Sequence, residues 1–113
     1  MKFIAILLLI MMAGLGFAHP PSEIKAKIDL NERTLEVEIG HSVKSSDHYI
    51  HQVEIALNGK LIIRQDSVVQ YNESIQKYVY FIPELKENDK ISITGKCNKF
   101  GSLKREFVAE KKE

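Results

Sequence analysis

Residues 90–97 read Lys-Ile-Ser-Ile-Thr-Gly-Lys-Cys, a stretch in which apolar and polar side chains alternate. Ile91, Ile93 and Cys97 fall on one parity, and charged or hydroxyl-bearing residues occupy the other. Because successive side chains of a β-strand point to opposite faces of a sheet, this period of two predicts a strand with one buried face. Cys97 is therefore expected at the end of that strand, on its inward side.

The same alternation recurs on both sides of this strand. Residues 24–30 and 35–39 alternate about a short polar turn, which predicts a hairpin. Residues 49–57 alternate as well, except that Ile50 is out of phase, which indicates either a bulge or burial on both faces at the start of that strand. Asn58-Gly59 after it is a strong hairpin-turn signal.

An apolar and aromatic run at 78–82, Tyr-Val-Tyr-Phe-Ile, has no alternation. Such a run predicts a central strand buried on both faces. No segment has helical periodicity of useful length. About seven short strands at regular spacing predict an all-β fold, an immunoglobulin-like β-sandwich of about seven strands.

Residues 1–18 have the features of a secretory signal peptide. Lys2 precedes an uncharged apolar run, and small residues stand before a cleavage site after Ala18. The run is short for a membrane span. The sequence therefore predicts an exported protein, periplasmic or secreted, with one domain over 19–113 and no membrane attachment after cleavage.

The charge of the predicted domain is balanced. Lys2 is the only one of the 16 basic residues within 1–18, which leaves 15 against 15 acidic residues. Nucleic acids and anionic membranes require a basic excess on one face, so neither is an expected partner. The oligomeric state is left open by the sequence.

His41, His48 and Cys97 are candidate metal ligands. His41 lies just past one predicted strand, His48 opens the next after six residues, and Cys97 ends a third. Strand ends and loops of a sandwich can converge, and imidazole and thiolate suit iron, zinc and copper, so a shallow metal site is predicted. Each residue also has a structural interpretation: His41 as a solvated loop residue, His48 as a half-buried strand residue, and Cys97 as a buried thiol.

Two short motifs surround these residues, Asp47-His48-Tyr49-Ile50 and Cys97-Asn98-Lys99-Phe100-Gly101. With His41 before them, they resemble in order and spacing the iron-binding domain of superoxide reductases, the desulfoferrodoxin and neelaredoxin family. The resemblance implies a mononuclear, non-haem iron with Cys97 as axial thiolate ligand and His41 and His48 as two equatorial ligands. It also implies an oxidoreductase that acts on superoxide and takes electrons from a donor.

The chain departs from that family pattern at Phe100, where the turn of the family carries a further histidine ligand. The early histidine segment of the family has no counterpart, and His19 is the only histidine near the amino terminus. His19 is therefore the candidate for an additional ligand. Phe100 is expected to pack at the end of the sandwich.

Two alternatives remain open at this point. After cleavage, His19 offers its amine and its ring to one metal ion, a pair that exported copper proteins use with a further histidine. The other alternative is a non-catalytic β-sandwich with a degenerate metal site and no bound metal, which binds a partner. Val68-Val69 and the run at 78–82 are then candidates for its contact surface.

Overall fold

The computed structural model describes residues 19–111, so the predicted signal peptide lies outside the described residues. Its strands are β1 (Glu23–Asp29), β2 (Thr34–Gly40), β3 (Ile50–Leu57), β4 (Lys60–Asp66), β5 (Ile75–Phe81), β6 (Lys90–Cys97) and β7 (Ser102–Val108). No membrane-spanning helix is found among the described residues.

The strands form two antiparallel sheets that pack as a sandwich. One sheet has the order β1-β2-β5, and the other has the order β4-β3-β6-β7. The predicted all-β sandwich of seven strands is thus confirmed. The core between the sheets consists mainly of branched aliphatic side chains, which alternate with polar ones along β1, β2, β3 and β6. Each fully buried aliphatic side chain contributes about 1.5–3 kcal/mol.

The predicted turn between β3 and β4 is confirmed by its backbone. Asn58 has a φ of 51° and Gly59 a φ of 87°, so both central residues adopt the left-handed conformation that a two-residue hairpin of type I′ requires. Asparagine and glycine are the residues that tolerate this conformation best.

The predicted bulge at the start of β3 is also present. The pairing of β3 with β6 shifts its register between Ile50 and Gln52. Ile50 is consequently buried although its parity is opposite to that of Val53, and it pairs directly with Cys97. The bulge therefore fixes where the residues just before β3 lie relative to the end of β6.

One burial prediction is wrong. The run at 78–82 was predicted to be a central strand, but β5 lies at the edge of the three-stranded sheet. Val79 and Phe81 point away from the core and are 60% and 73% exposed. The unbroken apolar run therefore belongs to an edge strand with apolar side chains on its outer face, and not to a strand buried on both faces.

Candidate metal centre

The structure brings His41, His48 and Cys97 together at one end of the sandwich. His41 follows the last residue of β2, His48 lies two residues before β3, and Cys97 is the last residue of β6. One potential ligand atom from each side chain lies within 4.8 Å of the others. Because two ligands on one metal ion are separated by at most about twice a bond length of 2.0–2.3 Å, this cluster can hold a metal.

The cluster is compact and largely shielded from solvent. His48 Nε2 lies 2.9 Å from Cys97 Sγ. The rings of His41 and His48 meet edge to face with centroids 4.6 Å apart. His41 is only 1% exposed, so the alternative interpretation as a solvated loop residue is wrong.

A glutamine fixes the orientation and the tautomer of His41. Gln70 Nε2 donates to the backbone oxygens of His41 and Asn72, at 2.7 and 3.0 Å, which identifies the other amide atom as the oxygen. That oxygen, Oε1, lies 2.9 Å from His41 Nδ1 and also accepts the backbone N–H of Ile50 at 3.1 Å. Since an amide oxygen only accepts, Nδ1 carries the proton, and Nε2 of a neutral His41 is left with a free lone pair.

That free nitrogen has no hydrogen-bond partner among residues 19–111, although it is buried. The only other buried side-chain atom of this kind in the described chain is the Tyr80 hydroxyl on β5. Metal-binding histidines commonly donate one ring N–H to a fixed oxygen and present the other nitrogen to the ion. His41 already has this geometry, because its Nδ1–H is bonded to Gln70 and its Nε2 is unoccupied.

Asn98 joins the two motifs that the sequence singled out. Its Oδ1 accepts the backbone N–H of Tyr49 at 2.9 Å, and its Nδ2 donates to the backbone oxygen of Asp47 at 2.8 Å. The residues on both sides of His48 are thus bound to the residue that follows Cys97. This is why Asp47-His48-Tyr49 and Cys97-Asn98 act as one structural unit.

The sulfur of Cys97 lies in a tight turn. Its backbone N–H donates to the oxygen of Gly101 at 3.0 Å, and the backbone N–H of Lys99 donates to Sγ at 3.3 Å. A backbone N–H directed at the sulfur is the kind of second contact that orients a metal-bound thiolate. Cys97 is 7% exposed, as its inward parity predicted.

The electrostatics of the cluster favour a neutral His48. Burial lowers the pKa of His48, and the neighbouring His41 and His19 lower it further because two imidazolium ions would repel. A neutral imidazole is the form that binds metal ions.

His19 also reaches this end of the sandwich. Its ring centroid lies 5.5 Å from that of His41 and 5.8 Å from that of His48. Phe100, which is predicted to pack at the end of the sandwich, leaves 46% of its surface exposed. The contribution of Gln70 was missed, because residues 67–74 carry no periodic pattern and its partners are remote in sequence.

A cavity of about 270 Å³ adjoins the cluster on the side of His48. Its wall combines the apolar side chains of Val43, Tyr49 and Val69 with polar and charged residues, among them Gln70 and Glu73. The cavity leaves open space beside one flank of His48.

Comparisons of the chain with models of protein families, with characterised proteins and with solved structures gave no match.

Proposed function

We propose that the protein binds a single transition-metal ion through His41, His48 and Cys97. The observation that carries this proposal is the buried Nε2 of His41, which has no partner in the described chain while Gln70 holds the opposite nitrogen. Leaving a buried polar atom unbonded costs about 1–3 kcal/mol, and a metal ion removes that cost. The 2.9 Å separation of His48 Nε2 and Cys97 Sγ places two further donors beside it.

Iron is the metal that we propose. Imidazole and thiolate donors suit iron, copper and zinc. The motifs at 47–50 and 97–101 favour iron among these, because they are similar to those of the superoxide reductases. Iron would supply one-electron chemistry, and the Cys97 thiolate would donate electron density to it. The protein would then be an exported oxidoreductase that reduces superoxide with electrons from a donor.

We propose that the sandwich has an immunoglobulin-like topology. In the constant-type immunoglobulin domain the fourth strand pairs with the fifth. Here β4 pairs with β3 instead, while the pairings β1-β2-β5 and β3-β6-β7 keep the immunoglobulin order. Sandwiches of this architecture vary in the placement of such edge strands.

Anaerobic loading with iron(II), followed by oxidation, tests the proposed centre. We expect a visible thiolate-to-iron charge-transfer band in the ferric protein and its loss in Cys97→Ala. Equal spectra of the two proteins, or no band in either, would show that Cys97 does not bind iron. Pulsed superoxide then tests the activity, because a consumption rate no higher than that of the apo protein would reduce the function to metal binding.

Copper is the alternative metal, and the nearness of the His19 ring to the rings of His41 and His48 favours it. Elemental analysis of protein purified from its native compartment distinguishes the two. A protein purified without metal would favour the non-catalytic binding module. Its contact surface would then include the exposed side chains of Val68, Val69, Val79 and Phe81.

A further inference from the structure

The residues before β1 are docked against the elements that carry the metal ligands. Pro20 packs so closely on Gly101 that a Cβ at Gly101 would lie 2.8 Å from the Cβ of Pro20. Gly101 also has a φ of +77°, which favours glycine at this position. The end of the Cys97 turn is thus shaped to receive the residue next to His19.

A second contact holds the same segment on the opposite side. The backbone N–H of Ser22 donates to the oxygen of Gly40 at 2.8 Å, and Gly40 directly precedes His41. A Cβ at Gly40 would lie 2.8 Å from Ser22 Oγ, so this approach is also close. Pro21 between the two contacts is buried.

These contacts explain why His19 lies beside both histidines of the cluster. Its own ring is exposed, and its contact with the backbone oxygen of Pro20 is long at 3.4 Å. The backbone is therefore fixed near the centre while the ring can turn toward an ion.

We propose that hydrolysis of the peptide bond between Ala18 and His19 completes the metal centre. Water adds across that bond, so that Ala18 leaves as a carboxylate and His19 keeps a free amine. The amine and Nδ1 of His19 then bind, as a six-membered chelate, the ion that His41, His48 and Cys97 hold. This inference rests on the proposed function of those three residues.

The chemical reason is the change in the donor atom. In the uncleaved chain the nitrogen of His19 is an amide, whose lone pair is delocalised into the carbonyl group. An amine has a localised lone pair and binds metal ions readily. The uncleaved chain offers four donors, the three of the cluster and the His19 ring, and processing adds the amine as a fifth, so the full affinity belongs to the cleaved chain alone.

Anaerobic titration with cobalt(II) tests this inference. The chain 19–113 contains all seven strands and every core residue, and it is compared with the same chain preceded by one glycine. The added glycine keeps the His19 ring but moves the amine away. Because a second donor on the same residue acts at high effective concentration, we expect about 100-fold weaker cobalt binding in the extended chain. Thermal unfolding of the two apo proteins checks that they are equally folded.

The outcomes separate this inference from the proposed function. The cobalt thiolate band should persist in the extended chain, with altered ligand-field absorption. Equal affinity and equal spectra of the two chains would overturn the role of the amine and leave the three-residue centre intact. Absence of the thiolate band in both chains would overturn both proposals. His19→Ala on the free amino terminus should weaken binding as much as the glycine does, and an unchanged affinity there would also contradict the chelate.

Discussion

The two ends of the sandwich both bury polar side chains, but they satisfy them differently. At the end where β3 turns into β4, the carboxylate of Asp89 accepts from Asn58 Nδ2 at 3.0 Å and from Lys86 N and Nζ at 2.9 and 2.8 Å. At the other end His41 is equally buried, yet its Nε2 has no partner within residues 19–111. Buried polar groups are nearly always bonded, so the unused Nε2 of His41, beside His48 and Cys97, makes this end the one where a metal ion could bind.

β3 and β6 run between these two ends. The polar side chains at the Asp89 end stabilise the fold, whereas those at the His41 end are available to a ligand. Asp89 locks the turn between β3 and β4, because Asn58 also accepts the backbone N–H of Lys90 at 2.9 Å. The His41 end gives up part of this stabilisation and gains a centre of donor atoms. Substitutions at the two ends should therefore affect different properties.

The largest effect is expected from His41→Leu. Loss of a direct ligand should weaken metal binding by about 100-fold or more, since loss of an outer partner alone costs 10–100-fold. The apo protein should keep its free energy of unfolding within about 1 kcal/mol, because removal of the unbonded Nε2 offsets the lost bond to Gln70. Cobalt(II) titration and urea unfolding measure the two quantities. A variant that binds metal normally but unfolds easily would reverse the comparison.

Asp89→Leu should produce the opposite result. The substitution leaves Asn58 Nδ2 and the backbone N–H of Lys86 without their acceptor, which should lower the free energy of unfolding by about 1–3 kcal/mol. Metal affinity should be unchanged. Asp89→Asn is the matched control, because it retains one oxygen acceptor and should lose less stability. A shift in metal affinity larger than about threefold in the folded variant would mean that the two ends are coupled.

Gln70→Leu should weaken metal binding by about 10–100-fold, because leucine cannot accept the Nδ1–H of His41 and so no longer orients its ring. Gln76→Leu is the matched control. Gln76 is a buried amide, whereas Gln70 is only partly buried. Gln76 accepts the backbone N–H of Tyr71 and donates to the oxygen of Val69, without a bond to a histidine. Both variants should lose stability, but only Gln70→Leu should change the proportion of the His41 ring tautomers seen by nitrogen NMR. Equal losses of metal affinity in the two variants would mean that Gln70 only stabilises its loop and does not orient His41.

Most of the fold was predictable because its determinants are local. Alternation predicts most of the strands, and Asn58-Gly59 predicts a hairpin turn with positive φ values that few residue types adopt. The edge position of β5 was not predictable, because the sequence of a single strand does not say which neighbours it pairs with. Val79 and Phe81 look the same in sequence whether a second sheet or solvent lies over them.

The candidate site was predictable in its ligand types but not in its supports. His41, His48 and Cys97 stand out because their side chains have distinctive chemistry. Gln70 is bonded to His41 across 29 positions, and Pro20 meets Gly101 across an even longer separation. Such contacts depend on how the loops close over the finished sandwich, which no local pattern specifies.

The smallest effect, and the one that divides the two ends most cleanly, is their response to acid. Lys86 and Asn58 hold the pKa of Asp89 below its ordinary value of about 3.9. The contribution of Asp89 to stability is therefore complete above that value and is lost as the pH falls through the lowered pKa.

Metal binding needs neutral imidazole, and the lowered pKa of His48 should delay the protonation of its ring to below about pH 6.5. Acid should thus release the metal first and unfold the sandwich only at lower pH, leaving a folded, metal-free protein between the two steps. Circular dichroism and the charge-transfer band, followed together during an acid titration, measure both steps, and a single coincident transition would mean that the metal holds the whole fold together.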